Sequence, residues 1–248
     1  MRAIRYSEYG SPDVLRVMEL EKPAPKDDEI LVRIRAASVN PLDWHFMRGT
    51  PYFIRIGGGL RRPKTGRLGV DAAGQVEAVG KNVTSFRPGD EVFGACKGAF
   101  AEYACASESR VVGKPANLTF EQSAAVPVAA LTALQALRDR GQVRPGQKVL
   151  INGAAGGVGT FAVQIARTLG AEVTGVCSTK NVEMVRSIGA NHVVDYTQAD
   201  FTKSGQRYDL ILDSAGNHSL TACRRALTTE GTLVMVGGPD NGRWLGPL

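Results

Sequence analysis

Between the apolar run "QKVLING" and the segment "GTFAVQIARTLG" stands "AAGGVG", Ala154 to Gly159. A chain that leaves a strand, turns tightly through glycine and enters a helix is built to meet a pyrophosphate. Gly156 lets the backbone approach the phosphates, and Gly159 lets the helix pack closely on the strand. The amides of Ala155, Gly157 and Val158 then lie where the helix N-terminus concentrates partial positive charge. The first position of the pattern is Ala154, so the string reads AxGxxG. Gly-rich turns are common, and the assignment to a nucleotide rests on the strand, helix and second strand that surround this one.

The second strand, "AEVTGV", runs out into Cys177, Ser178, Thr179 and Lys180. A site for NAD places a carboxylate there to hold the ribose hydroxyls. A carboxylate repels a 2′-phosphate, whereas hydroxyls and an ammonium accept one. Ser178 and Lys180 therefore point to NADPH, and Tyr196, after the short strand "HVVDY", adds a further hydroxyl. The alternative for Lys180 is a solvated residue in the first turn of a helix, a poor place for a cation unless an anion sits beside it.

Two rhythms position these residues. Up to about residue 120 the signals are short and alternate like strands: "EILVRIRAASVN", "AAGQVEAVG" and "FRPGDEVFG", the last with a Pro-Gly-Asp turn. They predict a small barrel-like β domain over residues 1–120. From 121 to 248 strands alternate with helices, which predicts an α/β fold with a doubly wound parallel sheet. Leu131, Leu134 and Leu137 have helical spacing that stops at Gly141. Val158, Ala162, Ile165 and Leu169 form one apolar face, with Gly170 as C-terminal cap. Strands are expected at Lys148, Glu172, His192, Tyr208 and Thr232.

The bulk numbers narrow the class. The 248 residues carry 30 Lys and Arg against 24 Asp and Glu, a net charge of +6. These charges are scattered, so nucleic acid is not a supported partner. The one basic run, "RRPKTGR" (Arg61 to Arg67), reads as a solvated loop after a mobile Gly57-Gly58-Gly59. No apolar stretch is long enough for a membrane span. Cys96, Cys105, Cys177 and Cys223 form no CxxC pair, which predicts neither a disulfide framework nor a zinc knuckle and suits a reducing cytoplasm.

"AASVNPLDWHFMRG", "GVDAAGQVEAVG", "RPGDEVFG", "AAVPVAALTAL", "AAGGVG" and "GANHVVDY" together resemble the medium-chain dehydrogenase/reductases, in their zinc-independent, quinone-oxidoreductase-like branch. The resemblance implies an N-terminal GroES-like barrel domain beside a Rossmann domain, with the active site in the cleft between them. Zinc-dependent relatives carry a Cys near the end of "AASVN" and a His within "GVDAAG". This chain has Asn40 and Val70 there, and its three histidines (His45, His192, His218) share no ligand spacing, so no metal is expected. Hydride delivery without a Lewis acid suits acceptors that carry their own electron sink, either quinones or α,β-unsaturated carbonyls.

The resemblance also names the catalytic candidates. Asn40, in the place of the metal-binding Cys, is expected at the nicotinamide ribose or the substrate. Asp43 follows in the same loop, as a catalytic group or as a local hydrogen-bond acceptor at a helix start. His45 and Tyr52 are possible donors, each with packing as the alternative. Thr132 is expected at the nicotinamide side, with a bond to the preceding helical turn as its alternative. Ser214-Ala215-Gly216 and Val236-Gly237 end strands at the cofactor edge of the sheet, and Cys177 reads as a small apolar side chain beneath the adenine ribose. The family continues into a sixth strand, a return to the N-terminal domain and a homodimer interface. None of these is expected within 248 residues, which leaves a truncated, non-catalytic nucleotide-binding or interaction protein, or an incomplete gene product, as the alternative reading.

Overall fold

A computed structural model describes residues 1–237. The chain divides into two compact units, Met1–Val128 and the residues from Ala129 onward.

The first unit opens with an antiparallel pair, β1 (Arg2–Arg5) and β2 (Arg16–Glu19). A long strand, β3 (Glu29–Ser38), leads into helix α1 (Pro41–Arg48) and the short helix α2 (Ile54–Gly58). Strands β4 (Asp71–Val79), β5 (Glu91–Ala95), β6 (Tyr103–Ser107) and β7 (Val111–Gly113) follow. They join β3 in an antiparallel sheet of order β6-β3-β4-β5-β7. Alternation puts Ile30, Val32, Ala72, Val76, Val92, Ala104 and Ala106 into one core. Helix α3 (Phe120–Ala124) closes this unit behind a cap in which Thr119 Oγ1 accepts from Gln122 N–H at 3.2 Å. In the glycine triplet, Gly57 and Gly58 lie in α2, and Gly59, with φ +117°, ends it. The basic run after it is a largely exposed loop.

Helix α4 (Pro127–Leu134) spans the division and continues as a π-helical segment, Gln135–Arg140, ending at Gly141. Leu137 is fully buried, whereas Leu131, expected on the same apolar face, is exposed. The second unit then alternates β8 (Lys148–Asn152), α5 (Gly157–Thr168), β9 (Glu172–Cys177), α6 (Val182–Ser187), β10 (His192–Asp195), β11 (Tyr208–Asp213), α7 (Leu220–Ala226) and β12 (Leu227–Met235). All five strands are parallel, in the order β10-β9-β8-β11-β12. The strand order reverses between β8 and β11, the position at which open α/β sheets bind ligands.

The apolar runs are continuous because helices cover both faces of this sheet. Val149, Ile151, Leu210 and Leu212 face the cluster that holds Ala162, Val163 and Ala166 of α5. Leu150 and Ile211 face the opposite cluster, with Phe201, Cys223 and Ala226. On α5 the expected face of Val158, Ala162, Ile165 and Leu169 does pack inward. The deepest stripe lies one row over, at Gly159, Ala162, Val163 and Ala166. Gly170, at φ +83°, follows the helix in the left-handed conformation that glycine permits.

Candidate functional site

In the second unit, parallel strands bring every C-terminal loop to one edge of the sheet. Backbone bonds stitch these loops together. Ala154 N–H donates to Val176 O at 3.0 Å, Ser214 N–H to Asn152 O at 3.1 Å and Val236 N–H to Asp213 O at 2.9 Å. Tyr196 N–H donates to Cys177 O at 3.0 Å, which puts its main chain against the end of β9, and its side chain is exposed.

The turn after β8 leaves a cradle. Gly156 is the N-cap of α5, and no side chain caps that helix. The first-turn N–H groups of Gly157, Val158 and Gly159 therefore lack intrahelical acceptors, as an anion site requires. A side-chain carbon at Gly157 would meet nothing within 4 Å, so the cradle is open there. One at Gly159 would overlap the Gly153 carbonyl oxygen and lie 2.8 Å from Ala154 Cα, so only glycine lets α5 seat on the strand. Ala155 is half-buried beside this turn, and Ala154 is fully buried.

After β9, Lys180 lies in a 3-10 turn (Thr179–Asn181) that precedes α6. It is exposed, and its ammonium has no ion-pair or hydrogen-bond partner among the described residues. The Ser178 hydroxyl accepts from Asn181 Nδ2 at 3.2 Å and keeps its own proton to give. Thr179 differs, because its hydroxyl donates to Asp195 Oδ2 at 2.6 Å. Asp195 also accepts from the Thr197 hydroxyl at 2.7 Å and from Gln198 Nε2 at 3.1 Å. The Thr179 bond, with the others, holds its carboxyl below the ordinary range. An acid thus does stand near the turn, on the neighbouring strand, in register with Cys177. Cys177 is buried, and burial pushes its thiol up.

Two buried polar groups beneath this edge are not apparent from the sequence. Asp213 Oδ1 accepts from Asn152 Nδ2 at 2.9 Å, Ala215 N–H at 3.1 Å and Gly216 N–H at 2.8 Å. Asn152 Nδ2 also donates to Asn217 Oδ1 at 2.8 Å, and Ser214 Oγ donates to Asn152 O at 2.8 Å. The one signal in the letters is that each residue ends an apolar strand at the ligand edge. Ala215, Val236 and Gly237 lie in this loop row; the Ala215 amide is already committed to Asp213. Residues 238–248 lie outside the described residues. Thr132, on α4, is half-buried, and its hydroxyl has no hydrogen-bond partner among the described residues, so the bond to the preceding turn is not made.

In the first unit Asn40 precedes α1 and is buried. Its Nδ2 donates to Asp71 Oδ2 at 3.1 Å and to Ser38 Oγ at 3.3 Å, so both amide protons are used internally. Asp43 is buried with both oxygens occupied: Oδ2 accepts from Asn40 N–H at 2.9 Å and Oδ1 from Gly69 N–H at 2.8 Å. That is the local-acceptor arrangement, one that ties the α1 loop to the segment before β4. His45 Nδ1 donates to Thr50 O at 2.8 Å, and Tyr52 stacks against the Arg55 guanidinium.

Asp71, the first residue of β4, is the centre of this cluster and is absent from the candidates drawn from sequence. Its Oδ2 accepts from Asn40 Nδ2, from Ser38 Oγ at 3.3 Å and from Val128 N–H at 3.0 Å, the last at the start of α4. Its Oδ1 is buried with no partner among the described residues. Burial pushes the carboxyl up, the bonds from Val128, Asn40 and Ser38 pull it down, and nearby Asp43 adds to the rise. In "GVDAAG" the missing histidine at Val70 draws the eye, and the acid beside it has no local pattern to mark it.

A GroES-like β unit followed by a Rossmann nucleotide-binding unit defines the class. The family comparisons agree: residues 26–116 match the alcohol dehydrogenase GroES-like domain, and residues 157–244 the zinc-binding dehydrogenase domain. A quinone-oxidoreductase homolog from spinach chloroplasts (Spinacia oleracea) is 36% identical over 259 aligned positions, covering 96% of this chain and 76% of its own length. The Escherichia coli quinone oxidoreductase solved with NADPH superposes with a TM-score of 0.84 at 28% identity, covering 99% of this chain and 76% of that one. The CurK enoyl reductase gives 0.88 at 29%, covering 96% and 74%. The chain belongs to the medium-chain dehydrogenase/reductase family, in its quinone-oxidoreductase-like branch. It is an oxidoreductase of the nicotinamide-dependent kind.

Proposed function

We propose that this protein is an NADPH-dependent reductase that delivers hydride to a quinone or an α,β-unsaturated carbonyl without zinc. The observation that carries the reading is the turn after β9, where Ser178 and Lys180, the latter without a partner among the described residues, offer a proton donor and a cation and the nearby acid is engaged by Thr179, Thr197 and Gln198. These groups suit a 2′-phosphate, and the uncapped start of α5 with its open Gly157 suits the pyrophosphate.

NADPH, when bound, supplies the hydride. The chain's residues supply placement. Gly157, Val158 and Gly159 amides hold phosphate oxygens, and Ser178, Lys180 and Tyr196 hold the adenosine end. Ala215, Val236 and Gly237 line the sheet edge that supports the rest of the dinucleotide. Asn40, with both amide protons used, has only Oδ1, which faces the Asp43 N–H in a capping box, left to accept from a ribose or product hydroxyl. Asp43 holds the Asn40 loop. The Thr132 hydroxyl is available as a donor. Asn is a poor zinc ligand and Val70 is none, which supports a reaction that relies on the acceptor's own conjugation. The similarity to a quinone oxidoreductase solved with NADPH and to an enoyl reductase supports the same cofactor and acceptor classes.

We further propose a reducing cytoplasm, resting on four well-separated cysteines, and a homodimer for a chain that carries the family's full length. No helix among the described residues is long and apolar enough to cross a membrane. The test is to titrate purified protein with NADPH and NADH by cofactor fluorescence. Quinones, enones and simple alcohols are then screened by cofactor absorbance, with and without a chelator. Tighter NADPH binding and chelator-resistant reduction of conjugated acceptors are expected. Preference for NADH, or activity confined to alcohols and lost on chelation, would refute the proposal.

A further inference from the structure

The buried cluster of Ser38, Asn40, Asp43 and Asp71 carries an inference about Asn40 itself. The Asn40 side chain opens α1 as part of a capping box, its oxygen turned to the Asp43 main-chain N–H and its nitrogen to Asp71 and Ser38. Here Asp71 Oδ2 and Ser38 Oγ accept both Nδ2 protons, and the Asn40 main-chain N–H is held by Asp43. A carboxylate is acceptor-only, so an ionised Asp71 rejects the flipped amide, which would set Asn40 Oδ1 against its oxygen. The cost of this arrangement is visible in Asp71 Oδ1, buried without a partner among the described residues. An unsatisfied buried acceptor in a residue 0% exposed is not what packing alone would retain.

We propose that Asp71 is the positioning residue of the site: its carboxylate fixes the amide of Asn40 so that residue 40 acts as a hydrogen-bond acceptor and not as an oxyanion donor. Through Val128 N–H, the same oxygen also anchors the first turn of α4, the helix that carries Thr132. The role of Asn40 toward ligand rests on the hydride-transfer reading; the Asp71–Asn40 coupling does not. The titratable groups that face Asp71 are Asp43 on α1 and the thiol of Cys96, both within this unit.

Asn40→Asp places two carboxyl groups at the 3.1 Å separation now spanned by the hydrogen bond. Two carboxylates that close share a proton, so at least one folded-state pKa rises. A raised folded pKa contributes stability below the unfolded value and loses it as pH rises through the folded value. Without any ligand, the melting temperature of Asn40→Asp should approach wild type near pH 4 and fall away from it toward pH 8. Holding the shared proton about tenfold more tightly corresponds to a difference of about 3–5 °C. A gap from wild type that does not change with pH would overturn the coupling.

A second arm uses kcat/KM in Asp71→Asn, Asn40→Ala and the double variant. Asp71→Asn, whose remaining oxygen can still accept from Val128 N–H, should lose about tenfold, and in the Asn40→Ala background it should cost less than about twofold more, because what it removes is the hold on the Asn40 amide. Losses that multiply would overturn the proposal. Failure of the wild-type protein to bind NADPH would instead refute the functional reading, with the ligand-free pH arm still deciding the coupling.

Discussion

Replacing Gly159 by alanine adds one carbon at the closest approach of α5 to the strand before it. That carbon would overlap the Gly153 carbonyl oxygen and lie 2.8 Å from Ala154 Cα and 2.9 Å from its carbonyl carbon. Carbon pairs settle at about 3.5–4.0 Å, so the helix must lift by at least roughly 0.7 Å, and the tighter overlap with the carbonyl oxygen asks for more. The opposing atoms are backbone and cannot rotate away, which places the overpacking cost near the upper end of about 1–3 kcal/mol. The helix-propensity gain of alanine over glycine, about 1 kcal/mol, offsets part of it. A net loss of about 2 kcal/mol lowers the melting temperature by about 4–8 °C. A turn displaced by that distance should also weaken NADPH about tenfold or more, since its amides no longer converge. The control is Gly157→Ala, whose added carbon meets nothing within 4 Å and should leave the melting temperature unchanged or slightly raised. Calorimetry and NADPH titration read both effects. Wild-type melting and affinity in Gly159→Ala, or greater thermal damage from Gly157→Ala, would refute the reasoning.

Lys180→Glu reverses the cation in the turn after β9, unpaired among the described residues, and should cut the NADPH-over-NADH affinity ratio at least about tenfold. The wild-type ratio should itself narrow as salt rises, because the site is exposed; an unchanged ratio in either measurement counts against the cofactor assignment. Thiol titration at pH 7 should show no fast phase. Burial holds the Cys96 thiol near 12 and pushes Cys105, Cys177 and Cys223 up as well, and half-exposed Cys105 should react first. Glu108 accepts from the main-chain N–H groups of Ser85 and Thr84, and the Ser85 bond leads in depressing its pKa. A depressed carboxylate gives stability above its unfolded pKa and loses it as pH falls through the folded value. Glu108→Gln should therefore flatten the acid limb of a pH–melting curve, and an unaltered limb would remove that account.

The alternation of β3 and β4, the run of strands and helices after residue 121 and the glycines of the first βα turn were legible because each is a local pattern. Gly159 was identifiable by type, since only a missing side chain permits that approach. The hydroxyls and cation after β9 were legible in the same way, as neighbours along one segment.

What required tertiary structure was every pairing between segments distant in sequence. Nothing in "GVDAAG" announces that Asp71 meets Asn40 and Val128, because a carboxylate's partners depend on which strands lie side by side. The strand "YDLILD" does not show that Asp213 gathers Asn152 and two loop amides. Leu131 has helical spacing yet stays exposed, since periodicity says which residues share a face and not what covers it. Asp195 stands beside the end of β9, where that strand carries no acid of its own, brought there by parallel register between β9 and β10. Chemistry carried by one segment could be read from its letters, whereas the protonation and orientation of each polar group were set by neighbours that only folding supplies.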